Sequence, residues 1–450
     1  MILNFTVANW KSFADDATMQ LVASRERQHR ETLSAVDGFR SLKVCPVASV
    51  YGGNASGKTS FFEALDFFKQ FVVNGAPVGQ TIQVEPYRLE NARFMGATSF
   101  DITFLAEKTV YRLEVSLRQD RVLSEELTIL RDSGWAKTIY SRRDPDGVDF
   151  DHSYFSAPDR VRFVADGTLE NRLFLTNAVM QNVRELEEPY NWFKDSLKTI
   201  GVASRFDNLS MFYTDPGFLE FASKRMKELD TGIEEIVGEQ VDVASLPVPP
   251  IALQQIQAMA PMGDQETSAV FTLEMPGDYA AEMYFVTFRN GDVGAQRLRT
   301  RHRGANGGLV TFSLQMESSG TRRLLNLMPM LFELFGGNKR SSSVYVVDEL
   351  DRCFHSMLTS RIVELFLETA GRESRRQLLF TTHDLLLMNQ DLLRRDEMYI
   401  AQREVFGSSE LIRMNEFEGL RFDKDLLRSY LDGRFGGVPM FSASCLGGEE

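Results

Sequence analysis

The sequence is poor in cysteine and contains no long apolar run, and both absences exclude classes of protein. Its 450 residues include only 3 cysteines, and Cys45, Cys353 and Cys445 are widely separated without CxxC spacing. A disulfide framework is therefore not predicted, and the cytoplasm is the expected location. We find no apolar stretch of about eighteen residues, so no membrane-spanning helix is predicted.

An excess of positive charge is also missing. The formal net charge of −13 disfavours a protein that coats nucleic acid over its whole surface, although it leaves a local basic patch open. The opening MILNFTVANWKSF alternates like a strand and lacks the features of a secretion signal, so no leader is expected. The 34 phenylalanines are enough to fill a large core.

Hydrophobic periodicity predicts an α/β protein in which one nucleotide-binding domain is split by an insertion. Up to residue 170, strands are predicted at Leu3–Val7, Leu42–Val50, Ser99–Leu105, Thr109–Leu117 and Arg121–Leu130, with a helix at Ser60–Val72 and loops and short strands over 134–165. The last three strands predict an antiparallel meander. Helical periodicity then extends from Asn171 to about Val237 and includes Ile233 and Ile236.

Strands are predicted again near 268–312, followed by alternating helices and apolar strands. The predicted elements are the helices Ser319–Phe335, Met357–Thr369 and Leu385–Leu393 and the strands Ser343–Val347 and Gln377–Phe380. Apolar strands alternating with helices predict a parallel sheet covered on both faces. We therefore divide the chain into residues 1–170, a helical insertion at 171–262, and residues 263–450.

A glycine loop follows the second predicted strand. The stretch YGGNASGKTS, from Tyr51 to Ser60, has two glycines five positions apart, followed by lysine and threonine. In this strand–loop–helix context, main-chain N–H groups surround phosphate oxygens at a helix N-terminus. Lys58 would neutralise the β- and γ-phosphates, and the Thr59 hydroxyl would bind Mg²⁺; the alternative is a plain glycine turn. We name residues 52–60 the glycine loop and expect Gly52, Asn54, Gly57, Lys58, Thr59 and Ser60 to bind the phosphates of a nucleotide.

Two apolar strands end in residues suited to phosphoryl transfer. After Ser343–Val347, Asp348 is placed to hold Mg²⁺ and Glu349 to act as a general base or orient water. After the next strand, His383 is placed to donate to a γ-phosphate oxygen. The alternatives are a solvated acidic turn and a structural histidine.

A short polar motif precedes the predicted helix Arg322–Phe335. Ser318, Ser319 and Gly320 suit a helix N-cap, and they also suit a second anion site built from helix N–H groups and a hydroxyl. Because the glycine loop already provides one phosphate site, the second site would serve the nucleotide of another copy.

These motifs together resemble a known family. GGNASGKT, ESSGTRRL, VVDELD and FTTHD, in this order, resemble the P-loop, signature, Walker B with D-loop, and H-loop of ABC-type ATPases of the branch that contains RecF, SMC and OLD proteins. The opening strand through Phe13 resembles the N-F-R-S-F start of that branch. The ESSGT form and the tail Leu431–Gly436 resemble a bacterial subgroup often found in anti-phage defence operons.

The resemblance implies the fold and the site. It implies an ABC-ATPase P-loop domain with a mixed sheet and an antiparallel β subdomain, working as a homodimer or larger homo-oligomer with ATP and Mg²⁺. Ser318 and Gly320 would complete the partner's site, and Asp351 would lie in the loop that crosses the interface. The glutamine loop has no clear match; Gln80 and Gln83 are candidates, and the match around Pro86-Tyr87-Arg88 is uncertain.

Two functions follow from the resemblance. The favoured one is a sensor and scaffold ATPase of a defence system that holds a partner nuclease until a phage trigger arrives, because residues 384–450 are too few for an OLD-type nuclease domain and lack a DxD motif. The alternative is a DNA-repair or chromosome-associated ATPase that binds DNA directly. Arg297, Arg299, Arg301 and Arg303 alternate and would share one strand face, which could contact DNA, contact an acidic protein, or be ion-paired.

Overall fold

The computed structural model describes residues 1–201, 211–249, 251, 253–254, 258, 267–273, 282–289, 292–335, 342–417 and 425–437. The chain forms two compact units. The first comprises Met1–Val202, Gly337–Asp351 and His355–Glu450, and the second comprises Ala203–Gly336 and Arg352–Phe354. Cys445 and most of the predicted insertion's last part, 250–262, lie outside the described residues.

The secondary structure is given in chain order. The strands are β1 Ile2–Ala8, β2 Ala17–Gln20, β3 Ser34–Ala35, β4 Lys43–Val44, β5 Val47–Tyr51, β6 Thr98–Ala106, β7 Thr109–Leu117, β8 Val122–Leu130, β9 Ala136–Arg143, β10 Gly147–Phe150, β11 Leu197–Ile200, β12 Ile233–Val241, β13 Thr267–Leu273, β14 Glu282–Arg289, β15 Asp292–Arg303, β16 Leu309–Ser313, β17 Ser343–Val347, β18 Arg376–Thr381, β19 Met398–Arg403 and β20 Ser409–Arg413.

Helices with defined bounds are α1 Lys58–Asn74, α2 Asn91–Phe94, α3 Pro158–Asp166, α4 Phe174–Met180, α5 Glu187–Asn191, α6 Met211–Thr214, α7 Pro216–Glu228, α8 Ser319–Phe335, α9 Ser356–Thr369 and α10 Leu426–Leu431. Short 3₁₀ turns lie at Asp132–Gly134, Arg184–Leu186, Val243–Ser245, Leu314–Met316, Leu385–Leu387, Arg395–Glu397 and Met414–Glu416, and a π-helical turn at Trp192–Ser196. Within the described residues, no helix combines the length and apolar character needed to cross a bilayer.

A six-stranded sheet, which we name the central sheet, organises the first unit. Its order is β11-β17-β18-β5-β19-β20, and all neighbours are parallel except β19 and β20. Every residue of β5, β17 and β18 is buried, as expected for a parallel sheet covered on both faces. The predicted α/β class is confirmed, and the carboxyl ends of these strands lie along one edge.

A seven-stranded antiparallel sheet completes the first unit. Its order is β10-β9-β8-β7-β6-β1-β2, which confirms the predicted meander of β6, β7 and β8. Aromatic side chains fill the core between this sheet and α1: the rings of Phe68 and Phe100 stack with centroids 4.9 Å apart, and those of Phe104 and Trp192 with centroids 4.3 Å apart. This core fixes the position of α1, whose first turn follows the glycine loop.

The second unit contains its own sheet. The order is β12-β15-β14-β13, and β16 also pairs with β15. Helices α7 and α8 contact each other through Phe218 and Phe332, whose rings meet edge to face at 5.2 Å. Helix α8 has the bounds predicted for it, Ser319–Phe335.

The predicted helix through Ile233 and Ile236 is wrong, because both residues belong to strand β12. The pairing of β12 with β15 shifts register between Ile233 and Glu235. A bulge of this kind lets residues three apart face the same side, and both isoleucines are buried. Spacing that is typical of a helix therefore came from an irregular strand. Residues 197–200, also within the helical stretch, form β11 at the edge of the central sheet.

Other elements also differ from the prediction. Only Leu385–Leu387 of the predicted helix Leu385–Leu393 is helical. Asp384 caps its start by accepting from the main-chain N–H of Leu386, and after it the Asn389 side chain accepts from the main-chain N–H of Asp391. Such side-chain bonds compete with continued helix. The stretch 134–165 contains helix α3 beside its strands. Strands β19 and β20 were not predicted, although β19 pairs directly with β5.

A buried cluster of charges joins distant segments of the first unit. Arg394 and Asp396, both fully buried, form a paired contact with Nε–Oδ1 and Nη2–Oδ2 distances of 2.8 Å. Asp396 accepts a hydrogen bond from the main chain of Ser24 at 2.6 Å, and Arg413 donates to the carbonyl of Val22 at 3.0 Å. The cluster thereby holds the segment after β2 against the end of the central sheet.

The free energy of unfolding should depend on pH through Glu397, which follows Asp396 in this buried cluster. Burial raises the pKa of Glu397 to about 8, and the negative charge of Asp396 adds to this effect. The hydrogen bond that the Glu397 carboxylate accepts from the Arg394 main chain acts in the opposite direction and lowers the pKa. Between about pH 5 and pH 8 the folded chain retains a proton that the unfolded chain has lost, so stability falls as pH rises. In Glu397→Gln the free energy of unfolding should depend less on pH across this range.

The measurement is urea denaturation at pH 5.5 and pH 8. Glu373→Gln, at an exposed side chain, is the matched control and should keep the wild-type pH dependence. An unchanged pH dependence in Glu397→Gln would contradict the assignment.

Candidate functional site

The glycine loop connects β5 to α1. Helix α1 begins at Lys58, directly after Gly57, which has a φ of 104°. The N–H groups of the first turn of α1 therefore border the loop, as an anion site requires. Lys58 is buried, and its Nζ donates to the carbonyls of Gly52 at 2.7 Å and Gly53 at 3.0 Å. Burial lowers the pKa of Lys58, and the charges of Asp348, Glu349 and Asp351 oppose that effect.

The acidic end of β17 lies against this loop. Thr59 Oγ1 is 3.3 Å from Asp348 Oδ1, although the two residues are 289 positions apart in sequence. The expected convergence of the two ends of the chain is thereby confirmed. Glu349, the next residue, has a φ of 49°. Its side chain lies at the cavity that borders the glycine loop.

The residues at this junction fit Mg²⁺. A hydroxyl and a carboxylate, both hard oxygen donors, face each other at Thr59 and Asp348. Mg²⁺ is usually held by one or two carboxylates together with substrate phosphates and water. Among the described residues, no group of three or more His, Cys, Asp or Glu is arranged to hold a metal. Thr59 and Asp348 are the residues that would hold the ion here.

His383 lies beside Glu349 at the end of β18. Its Nε2 is 3.9 Å from Glu349 Oε1, and its side chain is 42% exposed. The main-chain N–H of His383 donates to the carboxylate of Asp351, with distances of 3.1 and 3.3 Å to the two oxygens. Asp351, expected at a dimer interface, therefore also holds the His383 loop within its own unit.

A cavity of about 560 Å³ opens at the glycine loop. Ligand pockets typically have volumes of about 300–1,000 Å³. The lining comes from residues 54–60 of the loop, from Glu349 and His383, from Lys11 and Ser12, from residues 85–89, and from Arg403 and Gly407. The lining of this cavity thus includes the groups suited to phosphate together with Leu89, Arg403 and Gly407.

Neither candidate for the glutamine loop lines this cavity. The side chain of Gln83 is exposed and bonds to Thr81, and Gln80 is likewise absent from the lining. The nearby residues that do line the cavity are Glu85–Leu89. Glu85 pairs with Lys11 at 3.2 Å, and the main chain of Tyr87 donates to Asn9 Oδ1 at 3.2 Å.

The signature-like motif lies in the second unit. Helix α8 begins at Ser319, and Ser318 caps it: its Oγ accepts from the main-chain N–H of Thr321 at 3.1 Å. A Cβ on Gly320 would lie 2.7 Å from the carbonyl oxygen of Cys353. The N-cap interpretation therefore holds for Ser318, and Gly320 is placed where a side chain would collide with main chain.

The four alternating arginines are ion-paired within the second unit. Arg297 and Arg299 contact Glu239 at 2.6 and 2.9 Å. The other two pairs are Arg301 with Glu235 at 2.6 Å and Arg303 with Glu234 at 3.0 Å. All three carboxylates belong to β12, which pairs with β15. The ion-paired alternative of the sequence interpretation is therefore the one that the structure shows.

Thr381 is a site residue whose contribution the sequence did not reveal. It belongs to the FTTHD motif, which drew attention only to His383. Its hydroxyl donates to Asp348 Oδ1 at 2.6 Å and accepts from the main-chain N–H of Glu349 at 2.7 Å. A threonine at the end of an apolar strand beside an acidic strand end is the signal that could have indicated it.

Comparison with known proteins gives one family match and distant structural likenesses. The sequence profile of the family described as "AAA domain, putative AbiEii toxin, Type IV TA system" matches residues 47–389. An SMC head bound to the C-winged helix domain of ScpA has a TM-score of 0.36 at 14% identity, over 91% of this chain and 97% of that chain. The recombination mediator protein RecF-ATPrS of the RecFOR pathway has a TM-score of 0.34 at 9% identity, over 92% and 98%. No curated protein matches significantly.

The glycine loop should not tolerate a side chain at Gly52. Its φ is 150°, and a Cβ there would lie 2.2 Å from the carbonyl oxygen of Ala401 and 2.7 Å from Ser56 Oγ. We expect Gly52→Ala to lower the free energy of unfolding by about 2–3 kcal/mol and to abolish nucleotide binding. Chemical denaturation and titration with a fluorescent ATP analogue measure the two effects.

Gly134→Ala is the control, because Gly134 has a φ of 77° but nothing within 4 Å of its Cβ position. Its free energy of unfolding should fall only by the cost of an alanine in the left-handed conformation, about 1–2 kcal/mol. This variant should bind nucleotide normally. Wild-type stability and binding in Gly52→Ala would contradict the close approach of Ala401.

Proposed function

Because the chain belongs to the AAA domain family of the AbiEii type, we propose that it is an ATPase that binds ATP and Mg²⁺ at the glycine loop. The contact of Thr59 Oγ1 with Asp348 Oδ1 at 3.3 Å carries the proposal, because it joins the phosphate-binding loop to the carboxylate that a P-loop ATPase needs for its cation. Bound Mg²⁺ would neutralise charge on the β- and γ-phosphate oxygens.

In this proposal the chain's own groups position the triphosphate. Main-chain N–H groups of residues 52–60, including Gly52, Asn54, Gly57 and Ser60, hold the phosphates, and Lys58 supplies a buried positive charge. Glu349 accepts a proton from the attacking water, or orients it. His383, whose Nε2 lies 3.9 Å from Glu349 Oε1, donates to a γ-phosphate oxygen. Phosphoryl transfer depends mainly on such positioning.

A second copy of the chain completes each site. Ser318, Ser319 and Gly320 at the start of α8 present N–H groups and a hydroxyl, which suit the γ-phosphate held by a partner's glycine loop. Hydrolysis then depends on assembly, so the active form is a homodimer at minimum. The division of the chain into 1–170, 171–262 and 263–450 belongs to the same proposal, with partner contacts assigned to the middle segment.

The biological role that we propose is abortive infection against phage. The family's description names a toxin of a toxin–antitoxin system, and the motifs resemble AriA, the ATPase of the PARIS defence system. In this role the ATPase is a cytoplasmic sensor and scaffold, which holds a partner effector nuclease and releases it when a phage-encoded trigger binds.

The four alternating arginines of β15 do not support direct DNA binding. A DNA track needs cations available for phosphates, whereas Arg297, Arg299, Arg301 and Arg303 each already contact a carboxylate of β12. The DNA-repair alternative is therefore not favoured by this surface.

Two substitutions test the ATPase. Glu349→Gln should reduce hydrolysis by about 100-fold or more, because general acid–base groups contribute about 10²–10⁴-fold, and it should accumulate an ATP-bound dimer visible by light scattering. Lys58→Ala should abolish ATP binding. Lys108→Ala, at an exposed turn, should behave as wild type. Normal turnover in Glu349→Gln would contradict its role, and a monomer hydrolysing at full rate would contradict the shared site.

The partner is tested by purification from the native operon. We expect the chain to co-purify with a neighbouring gene product in a complex of defined mass, and deletion of that gene to abolish protection against phage. Protection that persists after the deletion would contradict the scaffold role while leaving the ATPase assignment intact.

A further inference from the structure

Thr381 lies at the centre of the junction between the glycine loop and the acidic strand end. It is the last residue of β18 and its side chain is fully buried. Its Oγ1 lies 2.6 Å from Asp348 Oδ1 and 2.7 Å from the main-chain nitrogen of Glu349. The same carboxylate oxygen of Asp348 lies 3.3 Å from Thr59 Oγ1.

The direction of each hydrogen bond follows from the atoms involved. A main-chain N–H can only donate, so the Thr381 hydroxyl accepts from Glu349. A hydroxyl has one proton, and an ionised carboxylate can only accept, so that proton goes to Asp348. The hydroxyl therefore holds two adjacent residues at once, one by its side chain and the other by its main chain.

The main chain at this point is unusual. Glu349 has a φ of 49°, a left-handed conformation that is uncommon for residues other than glycine. The Thr381 hydroxyl accepts from the N–H of Glu349, and the Thr381 carbonyl accepts from the N–H of Leu350 at 3.0 Å. These two bonds hold the main chain of the turn that contains Glu349 and Leu350.

We propose that Thr381 is a positioning residue, which orients the carboxylate of Asp348 towards the cation and fixes the turn that presents Glu349 to the attacking water. The inference rests on the proposed ATPase function. In it, Thr381 acts through Asp348 and Glu349 and does not contact the substrate. Hydrogen-bond partners that orient metal-binding side chains typically change metal affinity by about 10–100-fold when removed. Thr381 should therefore affect cation binding more than nucleotide binding.

Thr381→Val tests this role, because valine keeps the shape of threonine and replaces the hydroxyl by a methyl group. Mn²⁺ is the probe, and its affinity is measured by electron paramagnetic resonance with a non-hydrolysable ATP analogue. Affinity for the analogue is measured separately in EDTA. We expect Mn²⁺ affinity to fall about tenfold or more, and affinity for the analogue in EDTA to stay within about twofold.

Two controls separate positioning from general destabilisation. Thr381→Ser retains the hydroxyl and should keep Mn²⁺ affinity within about threefold of wild type. Thr176→Val removes another fully buried hydroxyl, which donates to the carbonyl of Val72 at 2.7 Å, and should leave Mn²⁺ affinity unchanged. Melting temperatures establish that each variant folds, and Thr381→Ala, with the same expectation, replaces the valine variant if that one does not.

Each result has a defined meaning. Wild-type Mn²⁺ affinity in Thr381→Val, or an equal loss in Thr381→Ser or Thr176→Val, would overturn the inference and leave the ATPase assignment standing. A wild-type protein that binds neither the analogue nor Mn²⁺ would instead overturn the proposed function. A loss of Mn²⁺ affinity that is confined to Thr381→Val, or to Thr381→Ala in its place, supports the positioning role.

Discussion

Parallel pairing of β5, β18 and β17 is the constraint on which the rest of the molecule depends. Val347 pairs with Phe380, and Phe380 pairs with Ser49, so the three strands end side by side. Loops at the carboxyl ends of parallel strands meet at one edge, and this brings Lys58, Glu349 and His383 to the same cavity. The entropy of closing a loop grows only slowly with its length. Most residues of the second unit can therefore be inserted in the sequence between β5 and β17 without preventing the convergence of these two strands.

Much of this arrangement was predictable from sequence because its signals are local. The apolar strands, the glycine loop and the helix after it each depend on consecutive residues, and the resemblance of the motifs to those of ABC-type ATPases implied that Asp348 lies near Thr59. The wall at Glu85–Leu89 was not predictable, because its placement depends on contacts with Asn9 and Lys11. The role of Thr381 was hidden for the same reason: its partners lie more than thirty positions away in sequence.

In the second unit, one misassigned strand also hid the partners of the alternating arginines. The alternation of Arg297 to Arg303 correctly indicated a strand with a basic face. Two of the glutamates that face it, Glu234 and Glu235, were assigned to a helix, because the bulge in β12 gave Ile233 and Ile236 a helical spacing. Glu239 lies just beyond that predicted helical stretch. With that strand misassigned, no partner for the arginines could be found. A single irregular pairing thus concealed both the strand and the charges that the strand supplies.

The hydrogen bonds of Lys58 have a consequence for ligand affinity. Its ammonium group has three N–H donors, and two of them already bond to the carbonyls of Gly52 and Gly53, so a phosphate that takes more than one donor competes with these carbonyls. The net gain from Lys58 is the difference between the two sets of acceptors and is smaller than a charge–phosphate contact alone would suggest. Since both competing acceptors are main-chain oxygens, no side-chain replacement can remove them. The main chain of the glycine loop therefore sets part of the affinity that Lys58 contributes to phosphate binding.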